Sequence, residues 1–114
     1  MIYSGMMATR SQGLIPMNAL EHAASMMRVL AHPHRLRICD LLQAGDRSVG
    51  ELAADLDLPP ATVSQHLAIL RAHGILAPER DGKTVYYRVV HPAPRWLLSC
   101  IRRYAVRGHH APTG

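Results

Sequence analysis

The chain predicts a mainly α-helical fold with one β-hairpin, and three observations within residues 46–90 carry that prediction. Two helical patterns are separated only by Asp57-Leu58-Pro59. A stretch rich in Ile, Val and Tyr is then broken by Asp81-Gly82, the strongest short hairpin signal in the chain. The second of the two helices keeps apolar residues on one stripe and small polar ones on the other. Such a helix can pack on a core and still enter a DNA major groove. The combination is a helix-turn-helix followed by a basic two-stranded wing, that is, a winged helix-turn-helix.

The elements follow in order. Residues 1–16 have no period and contain Gly5, Gly13 and Pro16, which reads as a flexible N-terminal arm. Residues 17–31 place Leu20, Ala23, Ala24, Met27 and Leu30 on one helical stripe. Pro33 suits the first turn of a second helix, where its missing amide would be unpaired anyway. That helix runs to about Ala44, with Ile38, Leu41 and Leu42 inward, and Gly45 is expected to end it in the left-handed conformation. Ser48-Val49-Gly50-Glu51 matches a capping box and opens a third helix over 49–56. Pro60 starts the fourth, about 60–73, and His73-Gly74 closes it. Strands over 75–80 and 83–90 flank the hairpin tip, and Pro92 and Pro94 stop the second strand. In a fifth helix, about 94–107, Trp96, Leu97, Cys100, Ile101 and Tyr104 share a stripe. Residues 108–114 read as a disordered tail, so one winged domain spans 17–107.

The bulk numbers fit this reading. At 114 residues the chain suits one domain, and with no Phe and one Trp its core must be mostly Leu, Ile, Val, Ala and Met. No apolar run is long enough for a membrane span and no secretory signal opens the chain, so a soluble cytoplasmic protein is expected. Residues 1–59 carry five Arg against six acids, whereas 60–114 carry seven Arg and one Lys against two acids. The +5 net charge is therefore gathered in the half holding the fourth helix, the wing and the last helix, which favours phosphate as partner. The first and fifth helices each carry an apolar stripe that a small domain has little interior to bury. Pairing both with a symmetry mate gives a homodimer through these helices.

Val63, Leu67 and Leu70 fall on one face of the fourth helix, with Ala61, Gln65, Ala68 and Ala72 opposite. Thr62, Ser64 and Gln65 lie in the first turns, from which side chains reach base edges, and Gln65 suits a bidentate pair with adenine. His66 and Arg71 are placed nearer the backbone. Ser48, at the start of the third helix, is a further candidate contact. Arg80, Lys83 and Thr84 surround the wing tip and suit the minor groove or its phosphates, while Arg88 is read as structural. A solvated helix face is the bland alternative for each residue. A protein-binding winged helix is the rival function, opposed by the small or polar residues on the outer face and by the cationic half. No carboxylate pair, nucleophile with base or phosphate-binding Gly loop stands out, so an enzyme is not expected.

Four runs then carry a resemblance: Leu30-Ala31-His32-Pro33-His34-Arg35-Leu36-Arg37-Ile38, Ser48-Val49-Gly50-Glu51-Leu52-Ala53, 61–71 (ATVSQHLAILR), and Gly82-Lys83-Thr84-Val85-Tyr86-Tyr87-Arg88. Over about 17–107 the sequence resembles the ArsR/SmtB family of bacterial repressors. The resemblance implies a dimeric winged helix that binds an inverted repeat in double-stranded DNA near its own promoter and is released by an inducer. His32-Pro33-His34 falls where that family begins its second helix, and is read as a helix start, not as metal chemistry.

Both familiar metal sites of the family are missing. The stretch Arg47-Ser48-Val49-Gly50-Glu51-Leu52 has no Cys-x-Cys, and 95–103 (RWLLSCIRR) lacks the acid-x-His pair and later ligands. No cofactor is predicted. Cys39 and Cys100 remain, and a branch of the family that senses oxidants or sulfane sulfur carries one Cys on each of these helices. Against its pattern Cys39 comes one residue early and Cys100 about a turn and a half early. Arg35, Arg37, Arg102 and Arg103 lie near in sequence, and a neighbouring cation raises thiolate character. Three readings stand: a Cys39/Cys100 thiol switch, structural cysteines in a constitutive regulator, and a non-standard metal site drawing on Cys39, Cys100, His91, His109 or His110.

Overall fold

In a computed structural model, residues 13–106 are described. They form α1 (Met17–Leu30), α2 (Pro33–Ala44), β1 (Arg47–Ser48), α3 (Val49–Leu56), α4 (Pro60–Ala72), β2 (Leu76–Asp81), β3 (Thr84–Val89) and α5 (Ala93–Ile101). The chain continues from α5 as a π-helical turn, Arg102–Val106. Most of the expected arm and all of the tail lie outside the described residues.

Each junction has a local cause. His32 caps α2, its Nδ1 accepting the His34 backbone N–H at 3.2 Å, and Pro33 occupies the first helical position. At α3 the Ser48 Oγ accepts from the Glu51 N–H and the Glu51 carboxylate accepts from the Ser48 N–H, so the capping box is complete. The turn into α4 depends on Asp57, which takes a left-handed φ of 56°. Two backbone bonds, Asp57 N–H to Ala54 O and Leu58 N–H to Ala53 O, close the end of α3 around it. Gly74, at φ 72°, does the same for α4, with Gly74 N–H bonded to Arg71 O and Ile75 N–H to Leu70 O.

Three details differ from the sequence expectation. Gly45 ends α2 but is extended (φ 161°, ψ 160°), not left-handed, because the chain runs straight into β1. That two-residue strand pairs with β3, Arg47 opposite Tyr87 and Ser48 opposite Tyr86, and makes the wing a three-stranded sheet of order β1-β3-β2. The hairpin turn is Gly82-Lys83, since Asp81 still pairs with Thr84. Gly82 at φ 67° supplies the positive angle that the first position of such a turn requires.

The core lies where α2, α3 and α4 meet the base of the wing. Leu30, Ile38, Leu52, Val63, Leu67, Leu70 and Ile75 are fully enclosed, joined by Met26, Val29, Leu42 and Leu98. The stripe expected for α1 is thus rotated: Met26 and Val29 face inward, while Leu20 and Met27 are exposed. The stripe expected for α5 is divided. Leu97, Leu98 and Ile101 pack on the core, whereas Trp96 (75% exposed), Cys100 and Tyr104 (68% exposed) recur every four residues on the open side. No described helix is long and apolar enough to cross a membrane.

Candidate nucleic-acid interface

Packing Val63, Leu67 and Leu70 inward fixes what α4 offers outward. Ala61, Ser64, Gln65, Ala68, Arg71 and Ala72 are exposed, and Thr62 is half-buried at the edge. Ser64, Ala68, Arg71 and Ala72 line one open groove with Tyr87 of β3, so the outer face of α4 and the wing adjoin. Arg80, Lys83 and Thr84 are exposed around the tip. Arg80 turns one N–H toward the Gly82 carbonyl at 3.4 Å, which leaves the rest of its guanidinium facing solvent. Arg88 borders an open groove with Leu42, Gln43 and Asp46. It pairs with Glu79 across the hairpin, so two opposite charges cancel near the middle of the wing and the free cations lie at its tip.

Two proposed contacts are placed differently from the rest. Ser48 is half-buried, and its hydroxyl is committed to the cap of α3. His66 is buried, 9% exposed, and does not share the outer face. It belongs to the inward i, i+3, i+4, i+7 pattern Val63, His66, Leu67, Leu70, a spacing visible in the sequence. Its Nδ1 accepts from the Arg35 Nε at 3.3 Å, and Arg35 also donates to the Val29 carbonyl at 3.0 Å. Burial, and then the nearby His32, Arg35 and His34, hold the His66 pKa below the ordinary imidazole value.

The cysteines are in opposite environments. Cys39 is fully enclosed in the core, and burial pushes its thiol up to about 12, so it stays protonated. Cys100 is exposed. Three of the four cations that sequence proximity offered to the two cysteines, Arg35, Arg37 and Arg102, are engaged elsewhere. Arg37 lies 3.4 Å and Arg102 2.5 Å from the Asp40 carboxylate, which ties α2 to the end of α5, while Arg35 is held by His66 and Val29. Among the non-standard ligand candidates, His91 has its Nδ1 accepting the Ala93 N–H at the start of α5. His109 and His110 lie outside the described residues.

This arrangement of turn, outward polar helix and cation-tipped wing defines a helix-turn-helix regulator, and relatives agree. Residues 30–79 match a family described as a helix-turn-helix domain. An HTH-type transcriptional regulator of Mycobacterium tuberculosis is 41% identical over 85 residues, 74% of this chain and 75% of its own. The biofilm growth-associated repressor of Agrobacterium fabrum is 38% identical over 98 residues, 82% of each chain. A solution structure from Mycobacterium bovis, a homodimeric winged helix-turn-helix DNA-binding domain described as a possible ArsR-family regulator, superposes with a TM-score of 0.70. It is 28% identical, and the match covers 85% of this chain and 92% of that one. The chain belongs to the ArsR/SmtB family of winged helix-turn-helix transcriptional repressors.

Proposed function

We propose that the protein is a homodimeric repressor that binds an inverted-repeat operator, with α4 in the major groove and the wing tip on neighbouring phosphates. The observation that carries this reading is the joint exposure of Ser64, Gln65 and Arg71 on α4 with Arg80, Lys83 and Thr84 on the wing, over a helix whose other face is fully buried. Thr62 stands at the edge of the same face. Ser48 is assigned a backbone role only, through its N-terminal position in α3, and His66 is withdrawn from the contact set because it points into the domain. Leu20, Met27, Trp96 and Tyr104 form the dimer surface in this reading, since large apolar side chains left open on the first and last helices favour a second copy. The homodimeric M. bovis domain supports it. Footprinting on the DNA upstream of the protein's own gene tests the proposal: a protected inverted repeat is expected, and uniform or absent protection would refute it.

An inducer releases the operator, and its thiol form narrows to Cys100. That side chain is exposed beside Trp96 and Tyr104, so a modification there falls on the proposed dimer surface. Cys39 joins only if α2 opens. With mild oxidant or polysulfide, the wild type is expected to lose operator affinity reversibly, and Cys100→Ser to bind normally without responding. A Cys100→Ser protein that still responds would end the thiol reading.

A further inference from the structure

Three imidazoles separated in sequence meet at one place. His32 and His34 stand at the start of α2, and His66 reaches them from α4. The His32 and His66 rings meet edge-on with centroids 4.7 Å apart, His32 and His34 lie 5.6 Å apart, and His34 and His66 5.9 Å. One nitrogen from each ring can be chosen so that all three lie within 4.8 Å of one another. We propose that His32, His34 and His66 form a binding site for a divalent late transition metal of the zinc type, joining the start of α2 to α4.

The chemistry of the donor set selects the ion. Imidazole nitrogen suits zinc, nickel or copper, whereas magnesium and calcium require oxygen ligands that this cluster lacks. Three His ligands leave a fourth position for water. Zinc–nitrogen bonds of about 2.1 Å in a tetrahedral site put ligand atoms roughly 3.4 Å apart. The rings must therefore close by roughly 1.4 Å at the widest pair, a displacement that rotation about their side-chain torsions supplies. His32 and His34 are only half-buried and have room to turn.

Binding has a definite cost. A neutral imidazole has one lone pair, and in the metal-free protein two are in use. His66 Nδ1 accepts from Arg35, and His32 Nδ1 accepts from the His34 N–H. At 3.3 and 3.2 Å both bonds are longer than the usual 2.9–3.0 Å, so they are weak competitors. The Arg35 guanidinium repels a cation, which lowers affinity relative to a structural zinc centre. An occupied site would cross-link the start of α2 to the helix that carries Gln65.

Cobalt(II) titration of the full-length, untagged, reduced protein tests the site directly. The expected result is one equivalent per chain with a ligand-field spectrum and no thiolate charge-transfer band. The signal should be retained in a His109→Gln/His110→Gln double variant and weakened roughly tenfold or more in His34→Gln. His34 is half-buried at the second position of α2, so its replacement spares the core; circular dichroism verifies folding, and His66→Gln provides the second variant. Absence of binding at one equivalent, a spectrum unaffected by His34→Gln, or loss of the signal in the tail variant would each overturn the proposal.

Discussion

The outer face of α4 with the wing and the outer faces of α1 and α5 are both open surfaces, yet their chemistry is opposite. The first exposes Ser64, Gln65, Arg71, Arg80 and Lys83; the second exposes Leu20, Met27, Trp96 and Tyr104. A polar, cationic surface is stable in water and gains energy only from an anionic partner. An apolar surface of large side chains is costly in water and gains energy from nearly any complementary apolar face. In the proposed reading the two faces therefore take different partners, nucleic acid for one and a second copy of the chain for the other.

The largest effect is expected where the two surfaces depend on each other. Trp96→Asp with Tyr104→Asp should convert the dimer to a folded monomer in sedimentation experiments. It should also weaken operator binding by roughly a hundredfold, because two linked half-site contacts become one. A variant that stays dimeric would remove this face from the interface. Next comes a contrast within α4. Leu67→Ala, in the enclosed face, should lower unfolding free energy by about 2–5 kcal/mol in urea titrations.

Two residues away, the exposed Gln65→Ala should leave stability nearly unchanged. It should reduce operator affinity by about 1–3 kcal/mol and relax preference at one base pair. Equal stability losses at the two positions would mean that Gln65 is part of the packing. The smallest effect belongs to the wing: Lys83→Ala should weaken operator and non-operator DNA alike and reduce the salt slope by about 1. An unchanged slope would place the tip away from phosphate.

The same contrast explains what the sequence made legible. In α4 Val63, Leu67 and Leu70 form one stripe, so periodicity identified these inward residues, although His66 on the same face was read as a DNA contact. The Ser48–Glu51 capping box and the stop at His73-Gly74 were equally plain, because each rests on local hydrogen bonds. In α5, Trp96, Cys100 and Tyr104 run beside Leu97, Leu98 and Ile101, and two adjacent apolar stripes do not reveal which one turns inward. Strand β1 was hidden because two residues carry no period, and with it went the extended geometry of Gly45. The grouping of His66 with His32 and His34, and the pairing of Arg102 with Asp40, depend on how α2 packs against α4 and the segment after α5. No spacing in the chain encodes those contacts.

The proposed reading has α4 and the wing read DNA together. Fluorescence anisotropy with a labelled duplex carrying the protected repeat, alongside a scrambled duplex of equal length, tests it over a series of salt concentrations. Tight binding to the repeat is expected, with much weaker binding to the scrambled duplex and a steep fall of both with salt. Equal affinity for the two duplexes, or binding indifferent to salt, would contradict it.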